Sequence, residues 1–328
     1  MSARVAVAQR RPLPEDVAAR AAQLSVRARA AADALLAGHH RSVRHGASAV
    51  FVEHREYRPG DDPRRLDWRA FARTDRPIIR HYEHEAQLRA TLVFDRSSSM
   101  YFADSRDGAS GESGVPPTKA EHAATLLAAM AYLLLRQGDA FGLTYIDEAA
   151  EVTHPPRSRP DHFENLLSSL ARSELASEGT AARRTDLAAA LAAVAERTHR
   201  HGVVVVASDL LDPATLAAPA TVTPGWSAPI GLMARRGQSV VVLHVLTATE
   251  LELAGRESAR FEGLEGEVAT EADPVEVGDR YRERVARFCD RCERAVTAAG
   301  GRYVLARTDE APALTLARAL SPGSRGRR

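Results

Sequence analysis

The stretch Thr91-Leu-Val-Phe-Asp95-Arg-Ser97-Ser-Ser99-Met100 joins an apolar run to an aspartate and two serines at every second position. The apolar run is typical of a buried β-strand, and we expect this strand to end at Asp95. Carboxylate and hydroxyl oxygens are the ligands that a hard divalent cation such as Mg²⁺ prefers. The same residue types also cap helices and form turns, so the D-x-S-x-S pattern alone leaves both interpretations open.

From Thr91 onward, apolar strand patterns alternate with helical patterns. This order predicts an α/β fold with a doubly wound, mostly parallel sheet and helices on both faces, in which ligands bind beyond the carboxyl ends of the strands. Asp209 comes at the end of the apolar strand Val203–Ala207, and Thr185 opens an alanine-rich helix. We therefore predict a site for Mg²⁺ or Mn²⁺ whose ligands are Asp95, Ser97, Ser99, Thr185 and Asp209. If water bridges the carboxylates to the metal, the metal stays electrophilic enough to take a carboxylate from a partner.

A metal-dependent phosphatase or hydrolase with Asp95 as nucleophile is the alternative function for this stretch. Chemistry of the haloacid-dehalogenase type needs a second aspartate two positions later as acid and base, and this chain has Ser97 there. The nucleophile-elbow pattern G-x-S-x-G and the phosphate-binding pattern G-x-x-x-x-G-K-[S/T] are both absent from the sequence. We therefore expect a binding protein rather than an enzyme.

Composition excludes several other classes of function. The chain has 328 residues, an apolar fraction of 45% and a formal net charge of +1. The apolar fraction is enough for a sizeable core, and the near-zero charge argues against a nucleic-acid partner. The opening residues lack the apolar centre of a signal peptide, and no apolar run reaches the length of a membrane span. We therefore expect a cytoplasmic protein without a membrane span.

A charged segment upstream of Thr91 carries a second and more specific pattern. It reads Glu53-x-x-x-Tyr57-x-Pro59-Gly60-Asp61-Asp62-x-Arg64-x-Leu66-Asp67-Trp68-x-x-x-Ala72-Arg73-Thr74, then Glu83-x-Glu85. This segment resembles the signature of the bacterial domain-of-unknown-function 58 family. The predicted metal ligands resemble the metal-ion-dependent adhesion site of the von Willebrand factor type A domains that this family pairs with the signature. The resemblance covers roughly His39 to Leu320. By its charges alone, the segment is better interpreted as a solvated, self-neutralising ion-pair cluster than as a docking surface.

The resemblance implies a metal-dependent protein-binding module that accepts an acidic residue from a partner protein. It also implies a MoxR-type AAA+ ATPase as partner, with a chaperone-like role in the assembly or maturation of a client protein. Many proteins of the family carry transmembrane helices before the signature, and this chain has none there. Insertions at 103–117 and 217–236 border the predicted site and could modify the choice of partner.

The predicted organisation has three parts. Residues 1–87 hold an N-terminal helix and the small β-containing signature segment, 88–320 form the von Willebrand type A-like domain, and 321–328 are a disordered basic tail. Within the domain, Thr118 and Glu121 form a capping box that predicts a helix to Leu135, stopped at Gly138. We also expect a strand that ends at Pro155-Pro156, a loop over 217–236, and hairpin strands over 250–277.

Overall fold

The computed structural model of the protein describes residues 14–38, 50–56, 71, 73, 78–83, 88–104, 116–146, 150–175, 186–219, 221–253, 259–261, 270–272 and 274–321. Thr185, most of the Pro59–Thr74 segment, residues 105–115 of the first insertion and the tail beyond 321 lie outside these residues. Among the helices of the described residues, none is long and apolar enough to cross a bilayer.

One large sheet organises the described residues. Its strands are β3 (Arg89–Asp95), β4 (Ala140–Ile146), β5 (Ala150–Arg157), β6 (Val203–Ser208), β7 (Ser239–Leu246) and β10 (Arg302–Arg307). Their order across the sheet is β10-β7-β6-β3-β4-β5, and every neighbouring pair is parallel except β4 and β5. Two antiparallel hairpins stand apart from this sheet, formed by β1 (Val50–Glu56) with β2 (Ile78–Glu83) and by β8 (Ala259–Phe261) with β9 (Thr270–Ala272).

Helices cover both faces of the large sheet. In chain order they are α1 (Glu15–Gly38), α2 (Lys119–Gln137), α3 (Pro160–Leu175), α4 (Leu187–Arg197), α5 (Pro213–Ala217), α6 (Ser227–Arg235), α7 (Ala248–Glu252), α8 (Pro274–Ala298) and α9 (Pro312–Leu320). Successive side chains of a strand point to opposite faces, so Leu92 and Phe94 pack with α1, α2, α3 and α9, while Val93 packs with α4, α6 and α8. This two-sided burial explains the continuous apolar run, and the predicted mostly parallel α/β fold is confirmed.

The capping box at the start of α2 is confirmed in both directions. Thr118 Oγ1 accepts a hydrogen bond from Glu121 N–H at 3.0 Å, and Glu121 Oε2 accepts one from Thr118 N–H at 3.0 Å. At the other end, Gly138 takes a left-handed conformation with φ of 78° and ends the helix. The helix start matters for function, because the residue that follows Thr118 enters the candidate site.

Three predictions on single elements are wrong in part. The predicted loop over 217–236 contains α6, in which Pro229 occupies the first turn, where no intrahelical N–H bond is lost. Strand β5 continues through Pro155-Pro156 to Arg157, because it is an edge strand and pairs on one side only. The region from Glu250, predicted as hairpin strands alone, begins with the end of α7 before the β8–β9 hairpin.

Candidate metal centre

The carboxyl ends of β3 and β6 place the two predicted aspartates together. These strands are parallel neighbours with Phe94 opposite Ala207. Ser208, the last residue of β6, donates a hydrogen bond from Oγ to Asp95 Oδ2 at 2.6 Å, and Asp209 follows it. Asp95 is 3% exposed and Asp209 is 1% exposed. The sheet edge therefore holds two buried carboxylates that repel each other.

The two predicted serines complete the cluster from the turn after β3. Ser97 N–H donates to Asp95 Oδ1 at 2.9 Å, which folds the turn back over the end of the strand. The hydroxyl oxygens of Ser97 and Ser99 lie 3.1 Å apart, and both side chains are buried. Ser99 also hydrogen-bonds to the carboxylate of Asp209. Four of the five predicted ligands are thus brought together, while Thr185 lies outside the described residues.

The carboxylate of Asp95 has neutral hydrogen-bond donors and a negative neighbour. Burial raises its pKa from 3.8 to about 7, and the nearby charge of Asp209 contributes to this rise, against the opposing effect of hydrogen bonds from Ser208 and Ser97. An ionised carboxylate in such a place is unfavourable until a cation comes close. The position beside Asp95 is therefore one where positive charge would be stabilising.

Lys119, the first residue of α2, is a member of the site that the sequence analysis missed. Its ammonium Nζ lies 2.8 Å from Asp209 Oδ2 and 2.5 Å from Glu250 Oε1, and its side chain is 0% exposed. Burial alone would raise the pKa of Asp209, but the ammonium outweighs it and holds that pKa below its usual range. The signal for Lys119 was present in the sequence, because it is the only lysine among 44 basic residues.

Glu250 is held at the site by the short helix α7, which follows β7. Thr247 caps this helix in a second capping box, in which Glu250 Oε2 accepts the Thr247 N–H at 2.9 Å. Asp104, from the segment after the serine turn, accepts the N–H groups of Ala248 and Thr249 at 3.2 and 2.9 Å. The other oxygen of Glu250, Oε1, accepts a hydrogen bond from Lys119 Nζ. Hydrogen bonds thus connect the site to α7 and, through Asp104, to the segment after the serine turn.

His244 fixes the backbone at Asp209 from the neighbouring strand β7. Its side chain is fully buried, and burial lowers its pKa to about 4, so the ring is neutral near neutral pH. Because a carbonyl oxygen only accepts, His244 Nε2–H donates to Asp209 O at 2.8 Å, which leaves Nδ1 to accept from the Tyr303 hydroxyl at 2.7 Å. These hydrogen bonds position the backbone of Asp209, and the neutral His244 ring adds no charge to the site.

The residues of the site fit a divalent cation by ligand type and by charge. The cluster offers carboxylate and hydroxyl oxygens, which suit Mg²⁺ or Mn²⁺ better than a softer metal. The carboxylates of Asp95, Asp209 and Glu250 against the ammonium of Lys119 leave two negative charges, which one divalent cation would balance. Within the described part of the chain, no group of three or more His, Cys, Asp and Glu side chains is placed to hold a metal. A metal at this position would therefore need the serine hydroxyls as ligands beside the carboxylates.

Comparison with known protein families found a match over most of the chain. The family model described as "Protein of unknown function DUF58" matches residues 53–291, which is more than half of the chain. Uncharacterized proteins of Mycobacterium bovis and Mycobacterium tuberculosis are 29% identical over 279 residues, covering 84% of this chain and 80% of each relative.

Among solved structures, the chain is similar to the conserved hypothetical protein BatB from Bacteroides thetaiotaomicron, with a TM-score of 0.43 and 16% identity over 72% of this chain and 100% of that one. It is also similar to an aerotolerance-related membrane protein from Bacteroides fragilis, with a TM-score of 0.40 and 16% identity over 70% and 96% of the two chains.

Proposed function

This chain belongs to the DUF58 family, and for it we propose the function of a metal-ion-dependent protein-binding module. The observation that carries the proposal is the meeting of Asp95, Ser97, Ser99 and Asp209 in one buried cluster. With Glu250 and Lys119 included, this cluster has a net charge of two negative charges when Asp95 is ionised. A purely structural cluster gains nothing from this charge, because buried carboxylates without a counter-ion destabilise the fold. A divalent cation removes that cost.

The side chains have separate tasks in this proposal. Asp95, Ser97, Ser99 and Asp209 would hold Mg²⁺ or Mn²⁺, with Thr185 as the further predicted ligand. Ser97 N–H and Ser208 Oγ fix the two oxygens of Asp95, so this carboxylate is oriented before the ion arrives. When bound, the ion supplies a positive charge that attracts an acidic side chain of the partner.

The partner is proposed from the resemblance set out above. It supports a MoxR-type AAA+ ATPase, with a chaperone-like role in the maturation or assembly of a client in the cytoplasm. In that scheme ATP hydrolysis belongs to the partner, and this chain contributes metal-dependent recognition. The insertions 103–117 and 217–236 are predicted to border the site, and in this proposal they would adjust which protein is accepted.

Capture of partners from a lysate of the native cells tests the proposal. The immobilised full-length protein is incubated in Mg²⁺ and in EDTA, and the bound proteins are identified by mass spectrometry. We expect a protein that wild type retains only with Mg²⁺ and that Asp95→Asn does not retain. Asp139→Asn is the matched control, because Asp139 is a partly buried carboxylate that accepts from Leu88 N–H at the opposite end of the sheet. Capture that is equal in EDTA and in Asp95→Asn would refute metal-dependent binding.

A further inference from the structure

Lys119 is distinguished by its composition, its burial and its contacts. It is the only lysine of the chain, and its side chain is inaccessible to solvent. A buried ammonium is costly unless it is paired, and Lys119 is paired twice, with Asp209 from β6 and with Glu250 from α7. These partners are 90 and 131 residues away in sequence. The fold therefore brings one positive charge from α2 to the carboxyl ends of β6 and β7.

The ammonium of Lys119 gives the two aspartates of the site different electrostatic environments. Asp209 has a cationic donor on Oδ2 and the Leu211 N–H on Oδ1 at 3.1 Å. Within the described part of the chain, Asp95 accepts from neutral donors, namely Ser97 N–H, the Ser97 hydroxyl and Ser208 Oγ. The charge of Asp209 is thus already balanced inside the protein, while the charge of Asp95 is available to an ion from solution.

We infer that Lys119 is the specificity-determining residue of the metal site, because its fixed positive charge sets the site to the charge of a divalent cation. This inference rests on the proposed function. With Lys119, the cluster carries two negative charges and becomes neutral when one divalent ion binds. Without it, the cluster carries three negative charges and matches a trivalent ion instead. Loss of the Glu250 charge has the opposite effect and leaves one negative charge.

Titrations with Mg²⁺ and with Tb³⁺ test this charge balance. Wild type, Lys119→Met, Glu250→Gln and Asp95→Asn are compared by isothermal titration calorimetry at about pH 8, where the carboxylates are ionised. We expect Lys119→Met to raise the ratio of the Tb³⁺ affinity to the Mg²⁺ affinity by at least about tenfold. We expect Glu250→Gln to lower this ratio and also to lower the Mg²⁺ affinity itself by about tenfold. Comparing the ratio of the two affinities between variants removes the effect of the larger radius of Tb³⁺.

The opposite signs of the two expected changes separate a charge effect from a general weakening of the structure. Melting curves in EDTA establish that each variant is folded, and Glu250→Gln keeps the shape of the side chain if Lys119→Met does not fold. Asp139→Asn removes a carboxylate at the far end of the sheet and should leave both affinities unchanged. If wild type binds Mg²⁺ but the affinity ratio is unchanged in both variants, or shifts in the same direction in both, the role of Lys119 is refuted. The proposed function is not refuted by that result. If wild type, like Asp95→Asn, binds neither ion, the proposed function and this inference are both refuted.

Discussion

Replacement of Asp95 by asparagine should stabilise the metal-free protein, although it removes a residue of the proposed metal site. The asparagine would keep the size of the side chain, and its Oδ1 could still accept the Ser97 N–H, but its Nδ2 would donate to Ser208 Oγ instead of accepting from it. It would carry no charge. In the wild-type protein, burial and the neighbouring Asp209 raise the pKa of Asp95 from 3.8 to about 7. The folded state therefore binds a proton at Asp95 more tightly than the unfolded state does.

The sign and size of the effect follow from this difference. A folded-state pKa above the unfolded value gives a contribution that is fully favourable below pH 3.8 and is lost as the pH rises through about 7. The full change in pKa corresponds to roughly 4 kcal/mol. At about pH 5 Asp95 is protonated in the folded state and ionised in the unfolded state, and the proton uptake on folding costs roughly 1.5 kcal/mol. At about pH 8 the cost is nearly the whole amount. With an unfolding entropy of roughly 2 cal/mol/K per residue, 4 kcal/mol is a shift of about 6 °C in melting temperature.

Thermal melts of wild type and Asp95→Asn in EDTA at the two pH values measure this difference. Asp95→Asn should melt higher than wild type at both, and the gap should widen toward the higher pH. Addition of Mg²⁺ at about 100 times its dissociation constant should then stabilise wild type by about 2.7 kcal/mol and leave Asp95→Asn unchanged. A variant that is less stable than wild type in EDTA at about pH 8 would contradict the argument, because it would mean that the charge of Asp95 is already compensated within the chain.

Three further substitutions test how the fold supports the site. Gly142→Ala would place a Cβ 2.5 Å from the backbone oxygen of His154 in the neighbouring strand, so we expect a loss of roughly 2 kcal/mol or more in urea unfolding. Thr118→Ala removes the hydroxyl that caps α2 and should cost about 1 kcal/mol by the same measurement, with Thr118→Ser nearly neutral. His244→Leu removes the hydrogen bonds to the Tyr303 hydroxyl and to the backbone carbonyl of Asp209 and should lower stability by roughly 2–4 kcal/mol, whereas Tyr303→Phe, which leaves the Asp209 carbonyl paired, should cost less.

The parts of the fold that the sequence predicted are those governed by local patterns. Strands β3 and β6 are buried on both faces, so their apolar runs have no alternation and are easily found. The capping box at Thr118 marks the start of α2 because it satisfies two backbone donors within four residues. Parallel pairing then places Asp95 and Asp209 at one edge, which follows from topology alone.

Features that depend on long-range contacts or on one-sided pairing were not predictable in the same way. Two prolines indicated the end of β5, although an edge strand tolerates them on its unpaired side. Helix α6 was predicted as a loop because the prolines of this segment are typical of turns as well as of helix beginnings. The link of Asp104 to α7 spans 144 residues, and no local pattern indicates it.

Lysine and arginine differ in ways that explain why the site has the one lysine of the chain. Of the 44 basic residues, all except Lys119 are arginine, so arginine is the background choice of this sequence. A guanidinium is planar and presents five donors, which would require more acceptors and more space than a closed position between two carboxylates provides. An ammonium is a compact charge with three donors, and the contacts with Asp209 and Glu250 occupy two of them. The single lysine of an arginine-rich chain therefore lies at the position in the fold where a compact charge is needed. Its rarity identifies Lys119 independently of the D-x-S-x-S pattern.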